Sequence, residues 1–82
     1  MSEREQVHGF VGRLLEQKGD TRPLGDADPL LTNGRLDSID VLDLVAFLET
    51  ELGADFSRRD FNQNDFDSVD EILKLVELLR AP

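Results

Sequence analysis

Ser38 stands at the mouth of an apolar helix, in the stretch Leu36-Asp37-Ser38-Ile39-Asp40-Val41-Leu42-Asp43-Leu44-Val45, with carboxylates on both sides. A hydroxyl so placed can be a nucleophile that hydrolyses a substrate or an oxygen that accepts a covalent group. Hydrolysis needs a base within hydrogen-bond reach and an oxyanion hole. The chain has one histidine, His8, and neither a nucleophile elbow nor a glycine-rich oxyanion loop. With nothing nearby to pair with, His8 reads as a surface histidine on a helix. Ser38 therefore reads as an attachment point.

Its neighbours sharpen that reading. Asp37 with Asp40 three residues on makes a variant of the helix capping box, whereas Ser38 has Val41 at that spacing. Asp37 is the expected cap, which leaves the Ser38 hydroxyl free. An anion on Ser38 would sit by unpaired N–H groups at the positive end of the helix dipole. Val41, Leu44, Val45, Leu48 and Leu52 form the core stripe of this helix. Ile39, Leu42 and Ala46 lie off the stripe, and Leu42 shares the Ser38 face at i+4. This helix has more apolar surface than one core-facing side needs.

The motif has an internal echo in Asp67-Ser68-Val69. There Ser68 with Glu71 makes a capping box before an apolar helix, and capping suffices to explain the serine. Asp20, Asp26 and Asp28 invite a calcium reading. They lack the alternating oxygens, the sixth-position glycine and the closing glutamate of an EF-hand loop.

Three helices are expected to position these residues. The first runs from Glu3 to about Lys18, capped by Ser2 with Glu5, with Val7, Phe10, Val11, Leu14 and Leu15 as its stripe and Gly19 closing it. A long connection follows from Gly19 to Leu36, and Leu24, Leu30, Leu31 and Leu36 should pin it to the core. The second helix spans Ser38 to Leu52 and ends at Gly53. Residues 54–66 hold a short element, with one helical turn starting at Ser57-Arg58-Arg59-Asp60, Phe56, Phe61 and Phe66 turned inward, and a turn-rich Asn62-Gln63-Asn64-Asp65. The last helix, Ser68 to Leu79, carries Val69, Ile72, Leu73, Val76 and Leu79, and Arg80-Ala81-Pro82 reads as a frayed end. The fold class is a small all-α bundle of three long helices and one short one.

Composition narrows the function classes. Eighteen acids against nine bases give a formal charge of −9, which argues against nucleic acid and anionic membranes and for a basic protein partner. Without cysteine there are no disulfides or thiolate metal sites, so any thiol chemistry needs a cofactor. No apolar run approaches the roughly 18 residues that span a bilayer, and the polar N-terminal stretch lacks a signal-peptide core. A cytoplasmic single-domain monomer is expected.

From Asp37 to about Leu52 the chain resembles, without a gap, the phosphopantetheine-attachment motif of acyl carrier proteins: Asp37-Ser38-Ile39-Asp40, then Leu42-Asp43-Leu44-Val45 and Leu48-Glu49. Looser similarity covers nearly the whole chain. The resemblance implies a right-handed up-down bundle with a long loop between the first two helices. It also implies a non-enzymatic carrier whose 4′-phosphopantetheine, taken from coenzyme A, is attached to Ser38 beside Asp37 by a phosphopantetheinyl transferase. Acyl cargo would ride as a thioester between a loading ligase or transferase and downstream synthases. In this family the second helix docks to basic patches on the partners. The matching positions are Asp40, Asp43 and Glu49, with Glu51 further on, beside Asp37, and Ile39, Leu42 and Ala46 as apolar contacts. An aminoacyl, peptidyl or D-alanyl cargo is the alternative, and a cofactor-free helical interaction module is the reading from outside the family. The chain departs from the family at Phe47, where a small residue is common and where packing is expected. It departs again at Arg35, where the fatty-acid carriers usually have glycine, and residues 54–66 look longer than the commonest pattern. The Arg35 departure points towards a stand-alone carrier of a specialised polyketide or nonribosomal-peptide pathway more than towards the fatty-acid carrier.

Overall fold

The computed structural model describes residues 2–58 and 62–80. Three α-helices, α1 (Glu3–Gln17), α2 (Ser38–Leu52) and α3 (Val69–Arg80), are joined by a long loop and by 3-10 turns at Phe56–Arg58 and Gln63–Phe66. Among the described residues there is no strand, and no helix is long and apolar enough to cross a membrane.

Each α-helix begins on a residue that satisfies otherwise unpaired N–H groups. Ser2 and Glu5 form the expected reciprocal box on α1, and Asp37 and Asp40 do so on α2. Ser68 Oγ accepts the Glu71 N–H at 3.1 Å, so the echo serine caps α3 from just outside it. At the end of α1, Gly19 takes φ +79°. Its N–H reaches Glu16 O at 2.9 Å while that of Asp20 reaches Leu15 O at 2.9 Å, the Schellman pairing that a left-handed glycine permits.

The core is aliphatic. Val7, Val11, Leu14 and Leu15 of α1 meet Val41, Leu44, Leu48 and Leu52 of α2 and Val69, Ile72, Leu75, Val76 and Leu79 of α3. Val45 and Leu73, expected in the stripes, are only partly buried, and Leu75 takes the inner position on α3. Phe66 is buried and stacks on Phe56, with centroids 6.0 Å apart. The stretch around 62–66, read as turn-rich, is itself a 3-10 turn opened by the Asn62 side chain, which accepts the Asn64 N–H. Of the helical turn expected at 57–60, Phe56–Arg58 is 3-10, while Arg59, Asp60 and Phe61 lie outside the described residues. Arg80, read as frayed, is the last residue of α3 and pairs with Glu3 of α1; Ala81 and Pro82 lie outside the described residues.

The loop from 19 to 36 is held down, as its leucines suggest. Leu30 and Leu36 are buried, and Leu24 and Leu31 pack against the core. Carboxylates do the rest. Asp67 Oδ1 accepts the N–H groups of Leu30, Leu31 and Thr32 at 3.2, 2.8 and 2.9 Å, and its Oδ2 accepts the Thr32 hydroxyl at 2.7 Å. Those donors, the Thr32 N–H foremost, hold the Asp67 carboxyl below the usual range against an opposing effect of burial. Arg4 joins Asp26 of the loop to Asp70 of α3. His8 Nε2 lies 2.8 Å from Leu24 O and must donate to that carbonyl, so the lone histidine is a loop fastener.

Three carboxyls held low contribute to the acid stability of the domain. Asp67 is held by backbone donors, Asp20 by Arg22 and then Arg35, and Asp37 by the Asp40 N–H and then Lys18. A depressed folded-state value contributes stability that is complete above the unfolded carboxyl value, about 3.9 for Asp, and is lost as pH falls through the folded values. Relief of the −9 charge acts the other way between pH 7 and 5. Urea midpoints should therefore hold level or rise slightly from pH 7 to 5 and collapse below about pH 4. Asp67→Asn should make that acid limb shallower; an unchanged limb would contradict the assignment to Asp67. Lys18 works in the opposite sense. Asp40 raises its value most, so its contribution is complete below about pH 10.4 and is lost only at higher pH.

Candidate functional site

α2 divides into two faces. Val41, Leu44, Leu48 and Leu52 are in the core, and Ser38, Ile39, Leu42, Asp43, Ala46 and Glu49 face solvent. Ile39 is 70% exposed and Leu42 66%, two of the largest exposed apolar side chains on the described surface. Helical rotation brings both to the side of Ser38, with Ala46 continuing the strip one turn beyond Leu42.

Ser38 is the first residue of α2, and the cap lies one residue earlier. Asp37 Oδ1 accepts the N–H groups of Ile39 and Asp40 at 3.1 and 3.0 Å. Among the described residues the Ser38 hydroxyl has no hydrogen-bond partner. The contrast with Ser68 is geometric, since Ser68 is 7% exposed and its oxygen is engaged in a cap. A free hydroxyl at the first turn can accept a bulky phosphodiester without disturbing a cap, next to the positive end of the helix dipole.

Asp40 departs from its expected role. On sequence it groups with Asp43 and Glu49 as a docking acid, but the residue is 9% exposed and turned inward. Its Oδ2 accepts the Asp37 N–H at 3.0 Å and lies 2.7 Å from Lys18 Nζ. The capping box alone does not bury it, since Glu5 makes the same box on α1 and stays exposed; the end of α1 packs here and sets its lysine against the Asp40 carboxylate. Lys18, at the end of α1, also reaches Asp37 Oδ2 at 3.2 Å. The free acids of the Ser38 face are thus Asp43 and Glu49. Glu51 faces elsewhere, onto a groove between α1 and α2 that it lines with Glu5, Gln6, Gly9, Phe10, Arg13 and Phe47.

Phe47 packs, as expected. Its ring stacks on Phe10 at 4.3 Å between centroids, and the Arg13 guanidinium sits 5.6 Å from the centre of the Phe10 ring. Arg35 also has a physical role. It is 7% exposed, its Nε donates to Asp20 Oδ2 at 3.0 Å, and Nη1 and Nη2 donate to Pro23 O and Arg22 O. Glycine there would leave the loop without this clip. Lys18 and Asp67, which sequence reading missed, carry no local signal; their partners lie on other elements.

Among the described residues no group of three or more His, Asp or Glu converges as metal ligands would. Comparison of the chain with protein-family models, with curated proteins and with solved structures finds no match.

Proposed function

We propose that the chain is a carrier protein that bears 4′-phosphopantetheine on Ser38, tethers acyl intermediates as thioesters and presents them to biosynthetic enzymes. The observation that carries this reading is the exposed, unbonded Ser38 hydroxyl at the start of a helix already capped by Asp37, beside a solvent-facing Ile39–Leu42 strip. Ser68, by contrast, is engaged in a cap, and the two exposed apolar side chains of α2 lie together beside Ser38.

Loading requires no catalytic group of this chain. The Ser38 oxygen forms a bond to the phosphorus of coenzyme A that bears the pantetheine. The pyrophosphate bond breaks, adenosine 3′,5′-bisphosphate leaves, and the hydroxyl proton passes to a base of the transferase. The arm then supplies the thiol that the cysteine-free sequence lacks. The contribution of this chain is to hold the attachment oxygen clear of the cap and to offer Asp43, Glu49 and the apolar strip to a basic partner. Such charges set encounter rate more than affinity. Acyl and aminoacyl cargo would use the same tether, and specialised-pathway cargo is favoured over housekeeping fatty acids only by Arg35 standing where those carriers have glycine.

Intact mass after incubation with coenzyme A and a broad-range transferase tests the reading. The chain should gain one phosphopantetheinyl group, Ser38→Ala none, and Ser68→Ala one. A cofactor-free interaction module would use the same exposed strip, and an unchanged mass would overturn the carrier reading.

A further inference from the structure

The Ser38 shoulder is less acidic than its sequence. Asp37, Asp40 and Asp43 stand within seven residues, yet the ammonium of Lys18 lies 2.7 Å from one carboxylate of this group and 3.2 Å from another. The pairing is built by the end of α1. Lys18 is the C-cap residue, and the Schellman turn at Gly19 fixes the direction in which the chain leaves the helix. The Lys18 side chain keeps 32% of its surface, so its charge is felt by an approaching molecule.

We propose that Lys18 is a specificity-determining residue of the Ser38 site: its single charge offsets one of the two carried by Asp37 and Asp40, repels the basic rim of an incoming partner, and leaves Asp43 and Glu49 as the unpaired charges by which a partner finds the helix. The inference rests on the carrier reading. Lys18 acts through the field around Ser38 and not on the reacting atoms, so its removal should change the encounter and leave the chemical step alone. Removing that charge makes the shoulder more negative by one unit and leaves the Asp37 carboxylate, 59% exposed on its side chain, without its cation. This change favours a cationic partner within a Debye length, about 10 Å at 0.1 M salt.

The test is the rate of phosphopantetheine transfer to wild type, Lys18→Gln, Lys18→Met and Lys18→Arg, measured with a basic-surfaced transferase and coenzyme A from low salt to about 0.5 M NaCl, with thermal melts of each variant. Lys18→Gln should raise kcat/KM about two- to five-fold at low salt through KM, with kcat unchanged and a steeper salt dependence. The gain should vanish at high salt, and Lys18→Arg should follow wild type. Lys18→Met keeps the aliphatic stem and gives the same readout should the amide cost the fold. A merely structural lysine would lower Tm without raising kcat/KM. Modified wild type with no low-salt gain in the folded Gln and Met variants would overturn the Lys18 assignment alone; wild type that takes no group would overturn this inference together with the carrier reading.

Discussion

Leu48→Ala should destabilise the domain by roughly 2–5 kcal/mol, while Leu42→Glu on the same helix should leave the melting temperature nearly unchanged and cripple partner turnover. Leu48 is fully buried among residues of the other helices, so truncation loses transfer free energy and leaves a cavity that close-packed neighbours fill only in part. A domain of this length has roughly 4–12 kcal/mol in all, so the Ala variant should melt at least about 10 °C lower. Leu42 is 66% exposed, and a carboxylate there meets water in both the folded and unfolded states. What it changes is the strip beside Ser38, where the apolar contact proposed for a partner would become a charge that must be desolvated. Urea midpoints and transfer rates for the two variants check both halves. A folded, slow-turnover Leu42→Glu beside an unstable, still modifiable Leu48→Ala is the expected outcome. Loss of folding in the former, or indifference to the latter, would mean that the two faces of α2 are assigned the wrong way round.

Arg35→Ala should cost about 3 kcal/mol, an effect comparable to the core truncation although no apolar contact is targeted. The guanidinium is buried against Asp20, which is 12% exposed on its side chain, and it satisfies the carbonyls of Arg22 and Pro23. Deleting it removes the donor from those two carbonyls and one of the two cations beside Asp20; Arg22 remains but is itself largely in solvent. Because the clip ties residues 20–23 to the turn just before α2, the loss should appear first as faster amide exchange over the 19–36 loop and then as a lower global midpoint. Arg35→Lys should recover only part of the loss, since one ammonium cannot reproduce a fork that donates to a carboxylate and two carbonyls. Equal stability of Arg35→Ala and wild type would show that the Asp20–Arg35 contact is incidental. Arg35→Gly, which restores the residue common in fatty-acid carriers, should be at least as damaging here, because this loop is built around the side chain.

The sequence by itself determined the three helices, their caps and the two-faced character of α2. Those features are encoded by residues three or four positions apart: apolar repeats at i, i+3 and i+4, the Ser2–Glu5 and Asp37–Asp40 boxes, and the glycines that close α1 and α2. The same local rule separates Ser38 from Ser68, one following its cap and the other being the cap. Tertiary structure alone decided which charges near Ser38 face outward and what holds the loop. Lys18 finds Asp40 22 residues away, Arg35 finds Asp20 across 15, and Asp67 gathers the N–H groups of residues 30–32 from 35 to 37 positions on. No periodicity links such partners; they meet because the apolar stripes pack α1, α2 and α3 together, and a carboxylate at that junction is then either paired or left to water. That is why Asp40, legible as a cap partner, could not be told from an exposed acid until α1 brought its lysine alongside.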